Sequence, residues 1–125
     1  MSNYAINMKQ GNALALISRI REKANRFIVR ELESHGIEGI VPSHGDILVI
    51  LFQGEKYTMK KLADKINRTK PTVTVLIEKL VEYGFVEKEK SYTDSRVTYI
   101  KLTKKGIELK PIFDEISKKL NAILY

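Results

Sequence analysis

The sequence predicts a mainly helical domain of the α+β class, in which one β-hairpin interrupts a series of amphipathic helices. Apolar residues recur every three or four positions over most of the chain, as they do on one face of a helix. One short segment after Gly84 instead combines β-branched residues with a polar turn. The length of 125 residues, 43% of them hydrophobic, is typical of one folded domain.

The first predicted element is a long amphipathic helix over Ala13–Leu32. We expect Asn12 to cap its start and Gly36 to follow its end, because glycine adopts the left-handed conformation that closes many helices. A short buried helix is predicted next, since Ser43 and Asp46 have the spacing of a capping box before an apolar run.

Two further helices, a hairpin and a last helix complete the predicted order. Thr58 and Thr69 can each cap one helix of the pair, and Gly84 ends the second. The hairpin has its turn at residues 91–95, and the final helical stretch begins at Thr103. A short helix, a tight connection, a second helix and a hairpin form a winged helix-turn-helix.

Positive charge is concentrated in the middle of the chain. The formal net charge is +7, and the segment Glu55–Lys105 holds 13 basic and 7 acidic residues. A localised basic segment is what electrostatic attraction to phosphates requires. A basic surface that serves only solubility is the alternative.

The second helix of the pair is the candidate major-groove element. Its first two turns would face base edges, which calls for short or flexible hydrogen-bonding side chains there and apolar residues behind them. Val75 is suited to contact thymine methyl groups. The alternative is an ordinary solvated helix surface. The candidate residues on this helix are Thr69, Lys70, Pro71, Thr72, Thr74 and Val75.

The hairpin is the candidate wing, which can lie along the DNA backbone or enter the minor groove. Arg96 suits a narrow minor groove, and Asp94 is placed to hold it by an ion pair. An ordinary surface salt bridge is the alternative. The candidate wing residues are Lys88, Lys90, Asp94 and Arg96, and the candidate phosphate contacts also include Lys60, Lys61 and Arg68.

Four short motifs occur together in a fixed order, at Leu62–Asn67, Thr69–Thr74, Gly84–Val86 and Thr93–Arg96. With them, the chain resembles MarR-family transcriptional regulators from Ser43 to Gly106. The resemblance implies a homodimer that places two winged helices on a pseudo-palindromic duplex, with Asp94 and Arg96 as the wing pair. It also implies repression that is relieved by a small, often aromatic, effector.

We expect residues 1–125 to form a single winged-helix domain, with the DNA-binding winged helix at 43–102 and dimerisation helices at about 10–36 and 103–125. The apolar faces of the two terminal helices are broad for a small domain to cover alone. The alternative is that both helices pack only on the domain's own core. The candidate dimerisation residues are Ile17, Ile20, Ile112, Ile116, Leu120 and Ile123.

Other function classes are disfavoured. The absence of Cys excludes disulfides, thiolate metal sites and cysteine nucleophiles. We expect no metal or other cofactor, although His35 and His44 with nearby carboxylates leave a metal site as a minor alternative. No histidine accompanies a plausible nucleophile and no glycine-rich phosphate loop exists, so we predict no enzyme. The longest apolar run, Ile47–Phe52, is far shorter than the roughly 20 residues of a membrane span, which favours a cytoplasmic protein.

The sequence therefore predicts a dimeric regulator that binds specific sequences of double-stranded DNA, and a repressor in particular. A winged-helix module that binds another protein is one alternative. A DNA-binding protein without sequence preference is the other.

Overall fold

The computed structural model describes residues 3–124, with side chains from residue 12 to residue 123. It confirms the predicted fold class, because helices surround one small antiparallel sheet with the strand order β1-β3-β2. No helix in residues 3–124 is both long and apolar enough to cross a membrane. The elements are α1 (Asn3–Ser34), α2 (Pro42–Leu51), β1 (Tyr57–Thr58), α3 (Met59–Ile66), α4 (Lys70–Glu82), β2 (Val86–Lys90), β3 (Thr98–Leu102), α5 (Lys104–Ile107) and α6 (Leu109–Leu124).

Helix α1 is longer than predicted. It contains 32 residues, about 48 Å of helix, and Asn12 lies inside it and does not cap its start. The predicted end is confirmed: Gly36 has a φ of 77°, and the N–H of Ile37 donates to the carbonyl of Leu32 at 2.9 Å. Among the residues of α1 whose side chains are described, those from 12 to 20 are all exposed, and the residues that pack on the rest of the chain lie further along the helix.

The predicted capping box of α2 is wrong. The helix begins at Pro42, and the N–H of Val41 donates to Nδ1 of His44 at 3.1 Å. His44 therefore does what a capping-box glutamate does, and Ser43 and Asp46 lie within the first turns. A neutral His44 must then carry its proton on Nε2, a buried atom that has no hydrogen-bond partner among the described residues.

We expect stability to fall as the pH drops below the ordinary histidine value of about 6.5. Burial, with a contribution from the charge of Lys79, lowers the pKa of His44 in the fold. The unfolded chain then binds the proton more readily, so His44 contributes its full stability above that pH and loses it below. Urea unfolding at pH 7 and pH 5 checks this, and the loss should be smaller in His44→Gln. An equal loss in both proteins would contradict it.

The terminal helices share a core with the winged helix. Leu32 of α1 is buried against α2, and Phe113 of α6 contacts Phe52 edge to face with ring centroids 5.3 Å apart. Two predicted dimerisation residues belong to this core. Ile116 is only 4% exposed and Ile112 packs partly buried beside it, so the apolar face that they share is covered by the chain itself.

The hairpin is confirmed, with Val86 of β2 opposite Leu102 of β3 and Lys90 opposite Thr98. Its turn runs to residue 97 because β3 begins only at Thr98. The two-residue strand β1, which the sequence did not predict, pairs with β3 through Tyr57 and Ile100.

Candidate nucleic-acid interface

The helix pair α3 and α4 is held by threonine caps and one left-handed residue. The side chain of Thr58 accepts from the N–H of Lys61 at 3.2 Å, and Thr69 accepts from the N–H of Thr72 at 3.4 Å, so both predicted caps are confirmed. Asn67 ends α3 with a φ of 56°, a conformation that asparagine tolerates better than most residues. The chain therefore turns within three residues into the second helix.

Helix α4 buries one face and exposes the other. Val73, Ile77 and Leu80 are buried, which leaves the predicted contact residues on the solvent side. Lys70, Pro71 and Thr72 are exposed, Val75 is 62% exposed, and Thr74 is half-buried.

Hydrogen bonds at the start of α4 engage the hydroxyls of Thr72 and Thr74. Thr72 Oγ1 lies 2.9 Å from Thr69 Oγ1, and Thr74 Oγ1 donates to the carbonyl of Lys70 at 2.9 Å. Both hydroxyls keep acceptor lone pairs. The side chains at this end of the helix that have no hydrogen bond to another described residue are those of Lys70, Pro71 and Val75. Such a surface favours contact with thymine methyl groups and with guanine acceptors.

The predicted ion pair of the wing is confirmed. Arg96 donates to both carboxylate oxygens of Asp94, from Nε and Nη2 at 3.1 Å each, and its backbone N–H also donates to Oδ1 at 3.0 Å. These bonds lower the pKa of Asp94 and raise the pKa of Arg96. The side chain of Arg96 stays 89% exposed, so the pair fixes the guanidinium without burying it.

The hairpin separates its charges onto two faces, because side chains alternate along a strand. Glu87 and Glu89 share one face, where Lys101 contacts them at 3.5 and 3.1 Å, and Lys56 contacts Glu89 at 2.9 Å. Its two lysine partners lower the pKa of Glu89. The strand register places Lys88 and Lys90 on the opposite face, where they form no ion pair with any described residue.

A cleft between the start of α3, the start of α4 and the wing collects cations from three elements. Lys60, Lys70, Lys88 and Arg96 line it, and no carboxylate is among its described lining residues. Thr58, Met59, Thr74, Val97 and Thr98 complete the lining. The arrangement can hold an anionic backbone.

The remaining predicted phosphate contacts lie outside this cleft. Lys61, Arg68 and Lys90 are exposed but do not line it. The Nζ of Lys61 instead lies 5.3 Å from the ring centroid of Tyr57, close enough for a cation-π contact. This contact could not be predicted from the sequence, because Tyr57 belongs to strand β1, which was not predicted.

The two histidines, His35 and His44, lie in different environments and do not form a shared site. His35 follows the end of α1, with Nε2 3.7 Å from Glu115 of α6, whereas His44 is buried at the start of α2. Within residues 3–124, no group of three or more His, Asp or Glu side chains is placed to hold a metal ion.

Comparisons with known proteins identify relatives of the helix pair and wing. The MarR family model matches residues 40–98. The chain is 27% identical over 94 residues to the HTH-type transcriptional regulator MhqR of Bacillus subtilis, a match that covers 75% of this chain and 63% of that protein. It is also 36% identical over 67 residues to a riboflavin kinase of Thermococcus kodakarensis, of which the match covers only 30%.

Solved structures match nearly the whole chain. A MarR transcriptional regulator from Methanosarcina mazei superimposes with a TM-score of 0.79 at 25% identity, over 91% of this chain and 80% of that one. Reduced AbfR bound to DNA superimposes with a TM-score of 0.75 at 22% identity, over 94% of this chain and 85% of that one. AbfR comes from Staphylococcus epidermidis.

Proposed function

The chain is a MarR-family winged-helix protein, and from that premise we propose that it is a transcriptional regulator that binds specific sequences of duplex DNA. In this proposal, α4 enters the major groove and the wing enters the adjacent minor groove. A regulator works where the chromosome is, so we place it in the cytoplasm. The absence of a catalytic constellation in the sequence argues for a binding protein and not an enzyme.

The cation-lined cleft is the observation that carries the proposal. Lys60, Lys70 and Lys88 come from separate elements and form no ion pair among the described residues, so their charges are available to a phosphate backbone. Beside them, α4 offers the exposed apolar surface of Pro71 and Val75, which suits base edges. A protein-binding module has no need of a carboxylate-free cleft, and this favours DNA over that alternative.

A homodimer is the second part of the proposal. Ile17 and Ile20, in the exposed stretch 12–20 of α1, are 55% and 51% exposed, and Ile123 near the end of α6 is 66% exposed. Leu120 and Phe27 join Ile20 and Ile123 in one apolar groove between α1 and α6. The described residues 12–20 of α1 are all exposed, and a second copy of the chain supplies the same surface about a two-fold axis to cover them. Two winged helices would then meet a pseudo-palindromic site.

Repression relieved by a small aromatic effector is the third part. A crevice of about 170 Å³ lies where α1, α2 and α6 meet, between the proposed dimer surface and the DNA-binding region. Ile28, Val49 and Phe113 line it with apolar atoms, and Asn25 and Asp46 add polar groups. This lining suits a single aromatic ring with one or two polar substituents.

Selection from a randomised duplex pool at near-physiological salt tests the main proposal. We expect an enriched site with two-fold symmetry and half-sites about one helical turn apart. Binding of unrelated duplexes with equal affinity would indicate an architectural protein without sequence preference. No binding at all would favour the protein-interaction module.

Replacing Arg96 with Ala should weaken binding to the selected duplex by about 1–3 kcal/mol and leave the fold intact. The exposed guanidinium is held by Asp94 in a fixed orientation, so its loss removes a contact and little packing. Gel-shift titration measures the affinity, and thermal unfolding checks the fold. Lys110→Ala, which removes one exposed charge from α6, is the control. Equal affinities for both variants would exclude Arg96 from the interface.

A further inference from the structure

Tyr92 stands at the tip of the wing with its side chain fully exposed. Its relative exposure is 102%, whereas the other exposed large apolar side chains that the structure describes reach at most 66%. The ring has no aromatic or hydrogen-bonded partner among the described residues. A tyrosine so placed offers a large amphipathic surface for contact with another molecule.

Hydrogen bonds order the turn that carries Tyr92. The hydroxyl of Ser91 accepts from the N–H groups of Thr93 and Asp94 at 3.2 and 3.3 Å. The N–H of Ser91 donates to the carbonyl of Val97 at 3.0 Å, which closes the turn from its other side. The backbone of Tyr92 is therefore set before any partner binds, and less conformational entropy is lost on binding.

The groups around Tyr92 suit a nucleic-acid backbone. Lys90 precedes it on β2, and Arg96 follows it in the same turn. The one carboxylate of the turn, Asp94, is engaged by Arg96, so the tip carries no unpaired acid. Along the chain, the aromatic residue lies between two cationic ones, an order that matches deoxyribose groups lying between phosphates along a DNA strand.

We propose that Tyr92 is a second minor-groove contact, whose ring packs on a deoxyribose at the outer end of each half-site. The inference rests on the proposed function and extends it, since it assigns the wing an apolar contact beside the polar contact of Arg96. The contact is made by the face of the ring and not by the hydroxyl, so phenylalanine retains it. It lengthens the protected site without changing the preferred bases of the major groove.

Hydroxyl-radical footprinting tests the proposal, because these radicals attack deoxyribose in the minor groove. The probe is the duplex enriched by selection, bound in turn by the original protein, Tyr92→Ala and Tyr92→Phe. Ile107→Ala is the matched control, because Ile107 is an exposed apolar residue of α5 outside the cleft. Thermal unfolding of each variant checks that the fold is unchanged.

We expect Tyr92→Ala to lose protection of the outermost sugars in each half-site and about 3- to 10-fold in affinity. Tyr92→Phe and Ile107→Ala should match the original protein. Unchanged protection in Tyr92→Ala, with specific binding intact, overturns the role of Tyr92 but leaves the proposed function standing. A loss in Tyr92→Phe equal to that in Tyr92→Ala overturns the ring contact in favour of the hydroxyl. If the original protein binds no duplex, the proposed function itself fails.

Discussion

Gly106→Ala is expected to destabilise the fold by about 3 kcal/mol, because the added methyl group has no space. A Cβ on Gly106 would overlap the carbonyl oxygen of Phe85 and lie 3.1 Å from Cδ2 of Leu102. The Phe85 carbonyl cannot retreat easily, since it accepts from the N–H of Thr103 at 3.0 Å. Thr103 in turn donates from its hydroxyl to the carbonyl of Gly84 at 2.5 Å. The wing and α5 would have to separate.

Urea unfolding of Gly106→Ala and Gly45→Ala measures this effect against a matched control. Both glycines lie in helices, but a Cβ on Gly45 would meet only Phe113 Cε2, at an ordinary 3.7 Å. Gly45→Ala should therefore be neutral or stabilising by up to about 1 kcal/mol, as helix propensity predicts. Equal stability of the two variants would show that the backbone at Phe85 and α5 can move to accommodate the added methyl group without a loss of stability.

Replacing both Ile17 and Ile20 with Asp should convert the proposed dimer into a monomer and reduce affinity for the two-fold duplex at least about 100-fold. The two side chains lie in the exposed stretch 12–20 of α1, where each aspartate would bring an unpaired charge into the proposed interface. A monomer contacts one half-site only, so the loss of affinity follows from the loss of assembly.

Sedimentation equilibrium gives the mass of the assembly, and gel shift on full and half duplexes gives the affinities. Ile107→Asp is the control, because it places one aspartate at an exposed isoleucine on α5, away from the proposed interface. That control should remain dimeric. A doubly substituted protein that still forms dimers would place the interface elsewhere on the surface.

Most of the predicted elements depend on local chemistry, and that is why the sequence revealed them. Thr58, Thr69 and Thr103 each accept a hydrogen bond from an N–H three residues later, so the cap lies in the same short segment as its helix. The left-handed φ of 81° at Gly84 is likewise local. The pairing of Asp94 with Arg96 spans only two residues.

The structure differs from the sequence-based prediction in two situations. Either the contacts join residues that are distant in sequence, or one sequence pattern is compatible with two structures. An apolar stripe on α6 looks the same whether it meets the chain's own core or a second copy, and only the packing assigns Ile116 to the core. Strand β1 has two residues and forms only because β3 offers it an edge. His44 replaced the expected capping box because its ring reaches Val41, a geometry that composition does not encode.

The cleft is a further feature that the sequence could not predict, because it depends on contacts between residues distant in sequence. Each cation of the cleft was predicted from the sequence as a DNA contact, but their common cleft was not. Lys60 and Lys88 are 28 positions apart and come together through the packing of β1, β3 and α3. Lys61 and Arg68 belong to the same basic segment and lie outside the cleft. The density of positive charge therefore predicted which segment of the chain is basic. Which of its cations line the cleft depends on the strand register and on where the helices begin and end.

In the proposed complex with DNA, the ion pairs on one face of the hairpin limit how many counterions the protein displaces. A phosphate releases its condensed cation only to a positive group that is free to replace it. Lys56 and Lys101 are already neutralised by Glu89 and Glu87, so they contribute little to that exchange although they lie beside the wing. The entropy gained in the proposed complex is therefore set by Lys88 and the other cations that form no ion pair among the described residues, and not by the number of lysines in the sequence.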